Sequence, residues 1–232
     1  MELVLSARLM GVCDYVIGGR TFADVGTDHA YLPAYLILNG IVPCAVASDV
    51  RKGPLESAGR TAEEYGVSDK MELILSDGLD KVREVGEAAI AGMGGIMIAD
   101  IVTRTPWLKS PEKHLVLQPM TQLSHLRKRL YEDGFYIEKE KIVEDGTKLY
   151  IVMSVFYDGV SRQTDELFQT VGDIRRTEGN RRRYLKTLIK KYGRIADGQK
   201  NSEDEAVASG AEKFICLKER LSELLREIED EG

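Results

Sequence analysis

Three absences narrow this chain of 232 residues before any motif is read. Cysteine is scarce: Cys13, Cys44 and Cys216 stand far apart in apolar segments. That leaves neither a disulfide framework nor a Cys-x-x-Cys knuckle, so a reducing compartment and no metal site are expected. Long hydrophobic runs are missing too. Nothing approaches the ~18 consecutive apolar residues of a membrane span, and the charges at Glu2 and Arg8 interrupt the place where a signal peptide keeps its apolar core. The expectation is a cytoplasmic protein without membrane association. Excess positive charge is the third absence: a formal net charge of -6 excludes a uniformly basic nucleic-acid coat, although a net figure says nothing about distribution. What remains, 43% hydrophobic and 30% charged residues, suits one large core plus a small appendage.

Strand and helix signals alternate along the first part. Ser6 is placed to cap a helix running toward Ile17, ended by Gly18-Gly19. Short apolar runs at 21–25, 44–49, 71–75, 88–91 and 115–117 read as five strands. Helical patterns at 31–38, 54–65, 96–103 and 122–133 lie between or after them, with Pro54 suited to a first helical turn. This is the pattern of an α/β fold whose parallel sheet is covered on both faces. At Gly134 the pattern changes. The runs 135–143 and 148–157 flank Glu144-Asp145-Gly146-Thr147, and Asp-Gly between such runs signals a hairpin. A parallel sheet closed by an antiparallel last strand resembles the Rossmann-like class I methyltransferase sheet; a dinucleotide-binding domain would continue with a sixth parallel strand.

After Asp158-Gly159 the β signals stop, so a catalytic domain over 1–158 and a helical domain over 159–232 are expected. Leu185, Leu188, Tyr192 and Ile195, then Phe214, Leu217, Leu221, Leu224 and Ile228, follow 3,4 spacings. Two such seams predict an antiparallel, coiled-coil-like hairpin around the polar stretch 197–210, or else two helices docked on the catalytic domain. Residues 159–232 balance 15 Lys/Arg against 15 Asp/Glu, so the whole net charge belongs to the first 158. The signs segregate within the tail: Arg175, Arg176, Arg181, Arg182, Arg183, Lys186, Lys190, Lys191 and Arg194 have only Glu178 among them. A one-sided basic segment suits phosphate binding; pairing with the acidic last helix is the alternative. Consecutive Arg181, Arg182 and Arg183 splay round a helix and cannot all face one partner.

The motifs sit at predicted strand ends. Asp24-Val25-Gly26-Thr27-Asp28-His29 leaves strand one, and Gly26 permits a sharp turn close to a ligand. The full G-x-G-x-x-G is absent, because Asp28 and Tyr31 occupy the second and third glycine places. Asp28 would repel a pyrophosphate, which disfavours NAD and FAD. S-adenosyl-L-methionine carries an ammonium and a sulfonium but no phosphate, and an acidic turn suits it, with Asp24 or Asp28 holding the ammonium; the alternative for Asp28 is merely to cap the next helix. Asp49, before Val50, closes strand two near the offset at which an acid grips ribose hydroxyls. Ser76-Asp77-Gly78-Leu79 follows strand three, where Asp77 is placed to accept from an adenine amino group. Ala91-Gly92-Met93-Gly94-Gly95 leaves strand four as an open floor for a planar base, and Leu117-Gln118-Pro119 closes strand five.

DVGTDHAYLP, SDGL, AGMGG and LQP, in this order, resemble the TrmK family of bacterial tRNA (adenine-22-N1)-methyltransferases over the first 158 residues; the tail resembles that family in architecture only. The resemblance implies methylation of N1 of an adenine in the D-arm region of tRNA, with S-adenosyl-L-homocysteine as the cofactor product. Neutral N1 already has a lone pair, so no strong base is needed; positioning and surroundings for the new cation suffice. The expected cofactor contacts are Asp24, Gly26, Thr27, Asp28, His29, Asp49, Val50, Ser76, Asp77, Gly78, Leu79, Ala91, Gly92, Met93 and Gly94. Asp28 and His29 are expected to assist the reaction, while Gly95, Gln118, Pro119 and Arg181 to Arg183 meet the tRNA, and a monomer is favoured. Two rival readings remain: a small-molecule methyltransferase, which has no use for the basic helix, and a non-catalytic RNA-binding protein, which would show a damaged glycine turn.

Overall fold

A computed structural model describes residues 3–200 and 210–230. The chain divides into two compact units, Met1–Gln163 and Thr164–Gly232. Residues beyond the hairpin stay with the first unit because Arg162 donates its backbone N–H to the Tyr131 carbonyl (2.8 Å) and pairs with Asp158.

The first unit is a seven-stranded sheet in the order β3-β2-β1-β4-β5-β7-β6. Its strands are β1 (Phe22–Val25), β2 (Ala45–Asp49), β3 (Met71–Leu75), β4 (Glu87–Gly94), β5 (His114–Thr121), β6 (Phe135–Asp145) and β7 (Lys148–Tyr157). Helices α2 (Tyr31–Leu38), α3 (Lys52–Glu64), α4 (Gly95–Arg104) and α5 (Leu123–Glu132) connect them, after α1 (Ala7–Cys13). β1 to β5 pair in parallel, and β7 inserts antiparallel between β5 and β6. The pairs β1–β2 and β1–β4 make β1 central, and all four of its residues are buried. The order reverses on either side of β1, so the carboxyl ends of β1 and β4 flank a crevice at the topological switch point.

Elements end where specific groups intercept the backbone. Ser6 caps α1, its hydroxyl accepting from Leu9 N (3.3 Å), but the helix stops at Cys13 instead of nearing Ile17. Tyr15 N and Val16 N turn back to Val12 and Cys13, and the Glu87 carboxylate takes Ile17 N (2.9 Å) and Gly18 N (3.2 Å). Glu87 is itself buried against His114 Nδ1 (2.5 Å), whose Nε2 meets Ser154 Oγ (2.9 Å). This polar tie joins the entry to β1 with β4, β5 and β7. On the other side of the sheet, Arg127 of α5 is wholly buried and bonds Glu140 of β6 (2.9 Å). In the β6–β7 hairpin Asp145 pairs with Lys148, so Gly146 (φ +59°) and Thr147 form the two-residue turn, one position later than Asp-Gly suggests.

In the second unit Asp165 caps α6 (Glu166–Val171), and α7 (Arg181–Lys200) runs antiparallel to α8 (Ala211–Asp230). Lys186 meets Glu229 at one end (2.9 Å), and the Tyr192 and Phe214 rings stack at 6.0 Å toward the other. α8 buries Leu217, Leu221, Leu224 and Ile228, as its spacing predicts. α7 buries Tyr184, Leu185, Gly193 and Ala196, while Leu188, Tyr192 and Ile195 of the expected seam are half-buried. The shift follows the small residues: at Gly193 the absent Cβ admits the Lys218 side chain to within 3.7 Å of that position. Of the polar stretch 197–210, residues 197–200 continue α7 and 201–209 lie outside the described residues.

Candidate functional site

The turn after β1 is built by backbone as much as by side chains. Gly26 takes φ +74°, and the N–H groups of Gly26 and Thr27 both donate to the Ser48 carbonyl (2.8 and 3.0 Å), locking the end of β1 to β2. Thr27 is buried, and its hydroxyl serves two groups. It accepts from Ala30 N (3.0 Å) and bonds the Asp24 carboxylate. Ala30, at φ +52°, is the N-cap of α2 and carries no side-chain cap, so Asp28 does not cap that helix. Asp28 instead projects outward, 76% exposed, with His29 Nε2 3.6 Å away. His29 in turn stacks on Tyr31, the rings 5.3 Å apart and 10° from parallel.

A cleft of ≈ 330 Å³ opens here, and Arg8, Asp24, Gly26, Thr27, Asp28, His29, Tyr31, Ala91 and Gly92 are among its lining. Burial pushes the Asp24 carboxyl up to about 6, against the opposing pull of the Thr27 hydrogen bond and the Arg8 guanidinium. Arg8, unremarkable in the sequence, therefore places a cation beside a buried acid. Its only sequence signal is a charge within the otherwise apolar helix α1. Gln118 fixes its position: the amide oxygen accepts from Arg8 Nη1 (2.8 Å) and Gly92 N (3.2 Å), while Nε2 donates to Pro119 O (3.0 Å). Gln118 and Pro119 are both buried. The amide expected to meet the substrate is thus occupied in holding the cleft's wall.

β4 leaves the sheet irregularly. Its register with β5 breaks between Ala91 and Met93 and again before Gly94, and Gly92 sits at φ +80°. The bulge carries the Met93 side chain over Gly26, where Cε lies 2.0 Å from the position a Cβ would take. Gly94 is the N-cap of α4. Gly95 is buried, and a Cβ there would stand 2.5 Å from the Gln122 carbonyl, so its glycine is required by packing.

The remaining residues end β2 and β3 and do not line this cleft. Asp49 is buried to 7% exposure; its Oδ1 accepts from Arg51 N (2.8 Å), and Val50 beside it is exposed. Ser76 is buried and accepts from Lys81 N, and Leu79 belongs to the core. Asp77 is engaged by Arg104 (2.6 Å), which also reaches Asp80 (3.2 Å). Gly78 (φ +57°) faces Ile101, 2.8 Å from a notional Cβ. Among the described residues no group of three His, Cys, Asp or Glu is arranged to hold a metal, and no helix is long and apolar enough to cross a membrane.

The second unit divides the basic segment. Arg175 pairs with Glu227 (2.5 Å), Arg176 with Asp173 (3.5 Å) and Lys186 with Glu229. Arg182 approaches the carbonyls of Ile228 and Glu229 (3.5 Å each) at the negative end of α8. Arg181 Nη1 donates to the Arg175 carbonyl, and Arg183 N is capped by Asn180. Lys190, Lys191 and Arg194 are exposed.

A switch-point cleft with an acidic, glycine-turned floor and no phosphate cradle, on a sheet with β7 inserted antiparallel, defines a class I methyltransferase domain. The family model described as "Methyltransferase domain" matches residues 5–153. The tRNA (adenine(22)-N(1))-methyltransferase of Bacillus subtilis is 32% identical over the full chain and 99% of its own length. The crystal structure of the B. subtilis m1A22 tRNA methyltransferase TrmK superposes with TM-score 0.85 at 28% identity, covering 97% of this chain and all of that one. A Streptococcus pneumoniae protein solved in complex with S-adenosyl-L-methionine matches at TM-score 0.77 and 28% identity, covering 94% of this chain and 99% of that one. The chain belongs to the TrmK family of tRNA (adenine-22-N1)-methyltransferases.

Proposed function

We propose that this chain, in the cytoplasm, transfers the methyl group of S-adenosyl-L-methionine to N1 of adenine 22 in tRNA. The observation that carries the reading is that Asp24 and Arg8 line one cleft, on a chain that matches a tRNA methyltransferase end to end. The two residues fit the zwitterionic end of the cofactor: a buried carboxylate for its ammonium, a guanidinium for its carboxylate. Gly26 lets the backbone approach, and Asp49 at the end of β2 is the acid for the ribose hydroxyls. Ser76, Asp77, Gly78 and Leu79 supply the adenine end, with Asp77 held by Arg104.

Bound there, S-adenosyl-L-methionine supplies an activated methyl group, whose bond to sulfur breaks with its electrons to sulfur as the N1 lone pair forms the new bond. The chain's task is placement. Gln118 holds Gly92 and Arg8 on one wall, the β4 bulge shapes the floor, and the Asp28 carboxylate at the rim faces a base that becomes cationic. N1 carries no proton, so His29 has none to remove. In the tail, Lys190, Lys191 and Arg194 offer charge to phosphates, whereas Arg175, Arg182 and Lys186 hold the helical hairpin together.

The test is methyl transfer to unmodified tRNA with the product nucleoside identified. N1-methyladenosine at position 22 supports the reading, and another nucleoside or an unmodified tRNA refutes it.

A further inference from the structure

A methyl transfer to a ring nitrogen needs the base held flat against something, and the floor of this cleft offers no ring. Between Ala91 and Gly95 the turn is glycine and methionine, and Met93 is folded over Gly26. Among the described residues lining the cleft, rings are carried by His29 and Tyr31 alone. They are stacked nearly parallel, and both are exposed, His29 to 47% and Tyr31 to 41%. Their arrangement is held at a cost. Ala30 between them is buried and left-handed at φ +52°, a conformation unfavourable for a residue with a Cβ. The bond from Ala30 N to the Thr27 hydroxyl holds it there. An ordinary helix start needs no such residue; this one turns two aromatic side chains onto one side of the cleft.

We propose that the His29–Tyr31 pair is the stacking platform for the target adenine, with Tyr31 the ring that contacts the base. The proposal deepens the function given above and rests on it. A neutral adenine gains stacking from an aromatic face. Once N1 is methylated the base is a cation, and a cation over a tyrosine face is attracted to the ring's negative quadrupole. The platform therefore holds the substrate and favours the charge that develops on it. The hydroxyl of Tyr31 plays no part.

The test compares Tyr31→Phe, Tyr31→Leu and Tyr31→Ala in initial-rate methylation of unmodified tRNA, with S-adenosyl-L-homocysteine affinity measured by calorimetry alongside. Tyr31→Phe should retain kcat/KM within about twofold. Tyr31→Leu and Tyr31→Ala should lose roughly 5- to 150-fold, the worth of one base–aromatic stack, while S-adenosyl-L-homocysteine affinity stays within about twofold of wild type in all three. With 2-aminopurine in place of the target adenine, the Tyr31→Ala complex should fluoresce more brightly than wild type, because the probe is no longer stacked. An active wild type whose Tyr31→Leu variant matches Tyr31→Phe overturns the proposal alone, as does cofactor-product affinity that falls in step with the rate. A wild type that leaves tRNA unmethylated refutes the activity and the proposal with it.

Discussion

Asp24 should make cofactor affinity depend on pH in a range where most carboxylates are inert. Burial lifts its carboxyl from 3.8 to about 6, a difference worth roughly 3 kcal/mol between its charged and neutral forms. A carboxyl whose folded value exceeds its unfolded value binds its proton more tightly in the native state. It therefore contributes most to stability below pH ~4, and that contribution is lost as pH rises from about 4 through about 6. Above pH 6 the protein carries a buried charge, which the Thr27 hydrogen bond and Arg8 offset; on the proposed reading the cofactor's ammonium is a further counter-ion to it. Calorimetric titration with S-adenosyl-L-homocysteine should accordingly show affinity nearly flat above pH 7 and falling toward tenfold per pH unit below about 6. Asp24→Asn should abolish that dependence and weaken binding at pH 8, yet raise the stability to urea at pH 8 by up to about 3 kcal/mol, since a buried charge has gone. Affinity that is unchanged from pH 5 to 8, or a variant that is both less stable and equally tight, would refute the assignment.

Five other outcomes follow from the same structure. Gly26→Ala forces a left-handed alanine and displaces the Met93 methyl, which is a flexible end, so binding of S-adenosyl-L-homocysteine should suffer far more than the melting temperature. Gly95→Ala meets the Gln122 backbone, which cannot yield as a side chain can, and should cost about 1–3 kcal/mol in urea unfolding. Glu140→Gln strips the counter-charge from fully buried Arg127 and should destabilise by about 3–5 kcal/mol in the same assay, with little effect on the affinity of molecules that survive folded. In the tail, Lys190→Glu with Arg194→Glu should weaken tRNA binding and flatten its salt dependence by about one unit of slope for each phosphate no longer neutralised, without lowering stability. Arg182→Glu should destabilise the helical hairpin, because its carbonyl partners on α8 are repelled.

Much of this was legible along the chain because its signals are local. Alternation of short apolar runs with helical periods gives the strands and helices, and the hairpin after Gly134 gives the antiparallel closure; these depend on residues within a few positions of one another. Asp24, Gly26 and Asp28 could be read as an acidic turn for the same reason, since a strand end, its glycine and its acids are contiguous. What the sequence could not order was contact across more than a hundred residues. Arg8 reaches the cleft only because Gln118 of β5 receives it, 110 positions away, and nothing in the spacing of either residue announces the other. Gln118 and Gly95, expected from the sequence as substrate contacts, are buried and packed into the scaffold, a feature set by the fold and not by residue type. The basic segment from Arg175 to Arg194 likewise reads as one-sided until α8 folds back and its carbonyls and carboxylates draw in Arg175, Arg182 and Lys186. Local propensity thus decided which elements exist and which strand ends carry chemistry. Only the tertiary structure decided which of those polar groups face the cleft and which are used up in building it, because each such group bonds whatever partner the fold brings within about 3 Å.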